Sequence, residues 1–241
     1  MQKRLNQLVD KLTEAHGDNL VSVILYGSAA AGDYHGAFSD LNIFCVLHRL
    51  GVPELARSEK VINWWRELGN PSPLLMARDE VAPATDCFPI EFHDMQERRQ
   101  VLHGEDIVAG LVIDDKYYRA RVEYELRAKL IRLRQKAASI ASDPPSLLRL
   151  MEDSISTFCV LGRHVLRLRD GDAPWTKREI VTALASAFDL QPGVFYTLLD
   201  LREAKLKPRQ TNPANLFAEY LREVTTLVDA VDRMPSQEPT L

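Results

Sequence analysis

Leu20-Val21-Ser22-Val23-Ile24-Leu25-Tyr26-Gly27-Ser28-Ala29-Ala30-Ala31-Gly32 and, further on, Ser39-Asp40-Leu41-Asn42-Ile43-Phe44-Cys45-Val46-Leu47 are the stretches that decide how this chain reads. Each holds a short, largely β-branched apolar run, the pattern of a buried strand, over Leu20–Tyr26 and Leu41–Leu47. The first run ends abruptly at Gly27-Ser28. Glycine there lets a ligand come close to the backbone. An Ala-rich helical piece starting at Ser28 and stopping at Gly32 would present free N–H groups to a phosphate. A polar loop from Gly32 to Ser39 leads into the second strand, where Asp40 and Asn42 fall on one face and Leu41 and Ile43 on the other.

Working outward, Leu5, Leu8, Val9 and Leu12 predict an amphipathic helix closed by Gly17. Pro53 opens a helix that carries Trp64 and Trp65 and ends near Gly69. Pro73–Arg78 reads as a third strand. Pro89–Met95, with Ile90-Glu91-Phe92-His93 in strict alternation, reads as a fourth. On that reading Glu91 and His93 leave one face while Ile90 and Phe92 pack behind, so Asp40, Asn42 and Glu91 converge on one polar side of a sheet. Carboxylates inside apolar strands need a reason, because burying one unpaired costs several kcal/mol.

From about Asp114 the pattern is helical throughout. Tyr118, Val122, Leu126, Leu130, Leu133 and Ala137 form one stripe on a basic helix, broken by Asp143-Pro144-Pro145. Leu148, Met151, Ile155, Phe158, Gly162 and Val165 line the next, ended by Asp170-Gly171. Thr176-Lys177-Arg178-Glu179 has capping-box spacing, Pro192 starts a fourth helix, and Phe217 to Val231 carry the stripe of a fifth. The expected fold class is therefore α/β (α+β): a short mixed sheet with flanking helices over 1–113, an all-α domain over 114–234, and a disordered tail over 235–241.

Composition narrows the functional classes. A net charge of −4 gives no reason to expect nucleic acid as a partner. Residues 1–113 hold ten Lys/Arg against sixteen Asp/Glu, and 114–241 hold twenty against eighteen. The acidic first half suits divalent cations or a cationic small molecule. Three cysteines without CxxC spacing argue against a zinc site and for a reducing compartment. The N-terminal residues lack the apolar core of a signal peptide, and no apolar run is long enough to span a bilayer, so no membrane partner and a cytoplasmic location are expected.

Tyr26-Gly27-Ser28-Ala29-Ala30-Ala31-Gly32 with Ser39-Asp40-Leu41-Asn42 resembles the signature of the polymerase-β-like nucleotidyltransferases, in particular bacterial aminoglycoside adenylyltransferases of the streptomycin/spectinomycin kind. Arg99-Gln100-Val101-Leu102-His103-Gly104 and the helical second half also look like that group's layout. In such proteins Gly-Ser holds a nucleoside triphosphate, Asp-x-Asp binds magnesium, and a third acid on a neighbouring strand completes the site. The resemblance implies transfer of a nucleoside monophosphate, from ATP by expectation, to a hydroxyl of a small, aminoglycoside-like acceptor. It puts the triphosphate on Gly27 and Ser28, the metal on Asp40, Asn42 and Glu91, and catalysis on Asp40 and Glu91.

The chain departs from the pattern at Asn42, where the second aspartate is expected. Magnesium prefers hard, anionic oxygens, and an amide carbonyl at this place lacks one negative charge. The alternative implied by Asn42 is a catalytically impaired module that binds a nucleotide or a partner. A third reading, modification of a protein as in antitoxin-like relatives of the fold, is disfavoured by the helical half.

Overall fold

A computed structural model describes residues 1–30, 32 and 41–235. The loop over 33–39, Asp40 and the tail from 236 onwards lie outside the described residues. The chain divides into two compact units, Met1–Asp115 and Lys116–Leu241.

The first unit is built on β1 (Leu20–Tyr26), β2 (Asn42–Leu47), β3 (Leu74–Ala77) and β4 (Arg99–Gly104), which form one sheet in the order β3-β2-β1-β4. β1 pairs antiparallel with both β2 and β4, and β2 pairs parallel with β3, so the sheet is mixed. Register sets two faces, because residues directly opposite in a pair share a side. Val23 opposite Cys45 and Leu25 opposite Ile43 look one way; Ile24 opposite Phe44 and Tyr26 opposite Asn42 look the other.

The Val23/Leu25 face is covered by α1 (Gln2–His16) and α2 (Val52–Glu67). Leu5, Leu8 and Leu12 from α1 and Val61 and Trp65 from α2 close over Ile43, Cys45 and Leu47. Pro53 in the first turn of α2 and Gly17 after α1 sit where helix-start and helix-stop signals place them. On the opposite face, Ile24, Phe44, Val46 and Met76 pack with Val81 of the one-turn α3 (Arg78–Val81) and with Phe92 and Met95 of α4 (Pro89–Glu97).

α4 corrects the strand expected over Pro89–Met95. Pro89 occupies the first helical position, where its fixed φ and missing N–H are harmless. Phe88, Phe92 and Met95 then repeat at helical spacing and enter the same core. The alternation of Ile90 to His93 covers four residues, too short to separate period 2 from period 3.6. The strand that joins β1 on its far side comes just after, as β4.

The second unit consists of α5 (Tyr118–Ala138), α6 (Pro144–Asp170), α7 (Lys177–Phe188), α8 (Gly193–Arg202) and α9 (Pro213–Asp232). All six residues of the stripe predicted on α5 are buried. Tyr220 of α9 sits at the centre, its ring edge-on to Phe158 and Phe195 with centroids 5.9 Å away. Gly162 allows α6 and α7 to approach, since a Cβ there would lie 2.5 Å from Leu184 Cδ1. Thr176 caps α7 by accepting from the Glu179 N–H. Among the described residues no helix is long and apolar enough to cross a membrane.

Candidate functional site

The polar end of the first unit begins where β1 stops. Gly27 has φ +78°, a left-handed conformation that glycine adopts without steric cost. Its N–H donates to the Arg98 carbonyl at 3.3 Å, tying this turn to the end of α4. A Cβ on residue 27 would lie 3.3 Å from the amide nitrogen of Asn42, so the Asn42 side chain is packed over the bare face of the glycine. Ser28 to Ala30 form a turn, not the helix expected there, and the Gly32 N–H closes on the Ala29 carbonyl at 3.4 Å. The N–H groups near Ser28 thus belong to a tight turn, whose amides can still face an anion.

Asn42 opens β2, half-buried, directly across from Tyr26. Both lie on the side of the sheet covered by α4. That helix is held there by the edge-to-face contact of Phe92 on Phe44, centroids 6.0 Å apart. Glu91 is carried by this helix and not by the expected strand, and its charge reaches the Tyr26 phenol. Its Oε2 is shielded from solvent. The phenol of Tyr26 reports its neighbourhood: burial, then Glu91, then Asp94 hold it protonated well above the usual tyrosine range.

Helical geometry redistributes the remaining α4 residues. On a strand, His93 would share a face with Glu91. On a helix, residues two apart point in widely separated directions, whereas i and i+3 are neighbours. Asp94, buried at 8% exposure, takes the place beside Glu91. His93 turns away, and its Nε2 lies 2.6 Å from Asp115 Oδ1. The strand reading of Ile90 to His93 missed this helix. Pro89 followed by the Phe88/Phe92/Met95 spacing was the signal that would have found it.

Of the predicted site residues, Gly27, Ser28, Asn42 and Glu91 gather at one end of the sheet, and Asp40 falls outside the described residues. Neither strand flanking the β1–β2 pair offers a third acid, since β3 reads Leu-Leu-Met-Ala and β4 Arg-Gln-Val-Leu-His-Gly. Among the described residues no group of three His, Cys, Asp or Glu side chains is placed to hold a metal ion by itself.

No family model and no curated protein matches the chain. Its structure is similar to that of spectinomycin adenyltransferase AAD(9) from Enterococcus faecialis, solved with ATP and spectinomycin. The TM-score is 0.63 at 13% sequence identity, over 96% of this chain and 99% of the other. Identity this low carries the fold alone, and it does so along nearly the whole length of both chains. The chain thus has the nucleotidyltransferase fold followed by a helical domain, the architecture of that adenyltransferase.

Proposed function

We propose that the protein transfers a nucleoside monophosphate, AMP by preference, from a nucleoside triphosphate to a hydroxyl of a small acceptor. The observation that carries this reading is the gathering of Gly27, Asn42 and Glu91 on one end of the sheet, in a fold shared with an adenyltransferase solved with ATP and spectinomycin. The donor set fits magnesium: the carboxylate of Glu91 and the amide oxygen of Asn42 are hard oxygen ligands, and Asp40 would add a third. When bound, the ion neutralises charge building on the phosphate oxygens. The turn after Gly27 holds the β and γ phosphates through the Ser28 hydroxyl and N–H, the Gly27 N–H being committed to the Arg98 carbonyl. Glu91 takes the proton of the acceptor hydroxyl. The acceptor oxygen then bonds to the α phosphorus, the bond to the bridging oxygen breaks, and pyrophosphate leaves. The resemblance to aminoglycoside adenylyltransferases suggests an aminoglycoside-like acceptor, and the acidic first half of the chain is compatible with a cationic one.

Asn42 supports a second reading, a nucleotide-binding module without turnover. Pyrophosphate release from ATP with magnesium, measured across a panel of aminocyclitol and aminoglycoside acceptors, separates the two. Acceptor-dependent release that Glu91→Gln abolishes supports the transferase. ATP binding without release on any acceptor supports the module.

A further inference from the structure

The cations of α5 fall into two groups. Over its first half they meet acids. Arg119 and Arg127 pair with Glu123 at 2.9 and 2.8 Å, Arg121 pairs with Glu125 at 3.0 Å, and Arg127 also reaches Asp232 at 3.1 Å. Lys129 is already farther from its acid, 3.9 Å from Glu125. Beyond it the helix carries no acid. Arg132 and Lys136 follow at spacings of three and four, so like charges become neighbours on one face, which costs the helix a little stability. Among the described residues neither Arg132 nor Lys136 makes an ion pair or a side-chain hydrogen bond.

That face is one wall of a groove of about 220 Å³ between α5 and α6. Leu133, Leu150 and Phe158, all buried, line its base. The α6 wall carries Asp153, Ser154 and Thr157. Ser154 is committed, donating to the Met151 carbonyl at 3.1 Å and meeting the Tyr220 hydroxyl at 3.0 Å. Asp153 and Thr157, one turn apart, make no ion pair and no side-chain hydrogen bond among the described residues. The dipole at the end of α5 favours a cation in its last turn and accounts for Lys136. It does not account for Arg132, a turn earlier, lining the same groove as a carboxylate with which it does not pair. Opposite charges held on facing walls fit a small molecule that bears the complementary charge at each end. Three cations on one wall match a dianion better than a single carboxylate.

We propose that the groove between α5 and α6 binds a small organic phosphate. Arg132, Lys136 and Lys129 hold the phosphate dianion, and an ammonium or hydroxyl group of the same molecule donates to Asp153 and Thr157. The site lies within the second unit and is independent of the nucleotide reading of the first.

The test uses phosphoethanolamine, which carries both charges, and inorganic phosphate, which carries one. Amide chemical shifts of the full chain are followed by NMR through each titration, with sodium chloride at matched ionic strength as the blank. Phosphoethanolamine is expected to move amides over 129–136 and 153–157, and chloride is not. R132Q/K136Q weakens both phosphates by at least about tenfold, as loss of charge-assisted hydrogen bonds does. R132K keeps most of the affinity. D153N separates the two probes: it weakens phosphoethanolamine, which loses the partner of its ammonium group, and does not weaken inorganic phosphate, which loses a repelling neighbour. Ser28→Ala leaves both titrations unchanged. Shifts that are absent, equal in chloride, undiminished in R132Q/K136Q or lost in Ser28→Ala overturn the assignment. D153N weakening both probes alike overturns the role of the α6 wall. A double-stranded oligonucleotide that binds these residues more tightly than either probe would make the face an extended polyanion surface and also overturn it.

Discussion

The two faces of the β1–β2 pair are built by the same alternation yet end differently. The side under α1 and α2 is apolar along its length, from Val23 and Cys45 to Leu25 and Ile43, closed by Leu5, Leu8, Leu12 and the fully buried Trp65. The side under α4 begins in the same way, with Ile24 against Phe44, and then changes to Tyr26 and Asn42, where burial and the acids of α4 hold the Tyr26 phenol protonated. One face holds the sheet together, so the other is free to carry polar groups at its end.

That division predicts opposite responses to substitution. Glu91→Gln is expected to lower acceptor-dependent pyrophosphate release by about 10²- to 10⁴-fold, the range for losing a general base, with little change in the urea midpoint. Trp65→Ala should do the reverse. It empties a large buried site and lowers stability by about 3–5 kcal/mol in urea unfolding, and the fraction that stays folded keeps its affinity for ATP. If the two substitutions had the same signature, the faces would not be separate in role.

Ser28→Ala sharpens the comparison within the polar end. A hydrogen bond to a charged phosphate is worth about 1.5–3 kcal/mol, so calorimetry should show ATP binding about 10- to 100-fold weaker and adenosine binding unchanged. Gly27→Ala tests the turn itself. The φ of +78° is disfavoured for a residue with a Cβ, and the new methyl would press on the Asn42 amide at 3.3 Å. A loss of about 1–2 kcal/mol in thermal or urea unfolding is expected, together with weakened ATP binding as Asn42 is displaced.

How much of this was legible in the sequence follows the same division. β1, β2, α1, α2 and the helical stripes were readable because long apolar runs and repeated 3.6-residue spacing leave one interpretation. α4 was not, because Ile90 to His93 satisfies both periods and the Pro89 start signal was outweighed by the alternation. β4 escaped as a strand because it is an edge element of polar, half-exposed residues, Arg99, Gln100 and His103 among them, paired to β1 alone. Of the candidate site, Gly27, Ser28 and Asn42 were read from motif spacing, whereas Glu91 was read from the alternation of a strand that is a helix.

The smallest expected effect concerns a buried histidine on the apolar side. His16, at the end of α1, is 6% exposed and lies 3.0 Å from Ser58 of α2. Burial chiefly, then Arg57, lowers its pKa below the ordinary 6.5, with Glu54 opposing. The folded state therefore favours the neutral ring. Below pH 6.5 the unfolded chain takes up the proton first, so stability is level above pH 6.5 and falls as pH drops from there towards the folded-state pKa. His16→Gln should flatten that slope in melts between pH 5 and 7.5. An unchanged slope would mean that His16 is not the group responsible.

The account's central claim is that the polar end of the sheet is a magnesium-nucleotide site. Isothermal calorimetry of the full chain with ATP, with and without magnesium, tests it most directly, with Ser28→Ala and Glu91→Gln measured alongside. The account predicts ATP binding that magnesium strengthens, weakened by Ser28→Ala through the phosphates and by Glu91→Gln through the metal. Binding of equal strength in magnesium and in chelator, unmoved by either substitution, would contradict it.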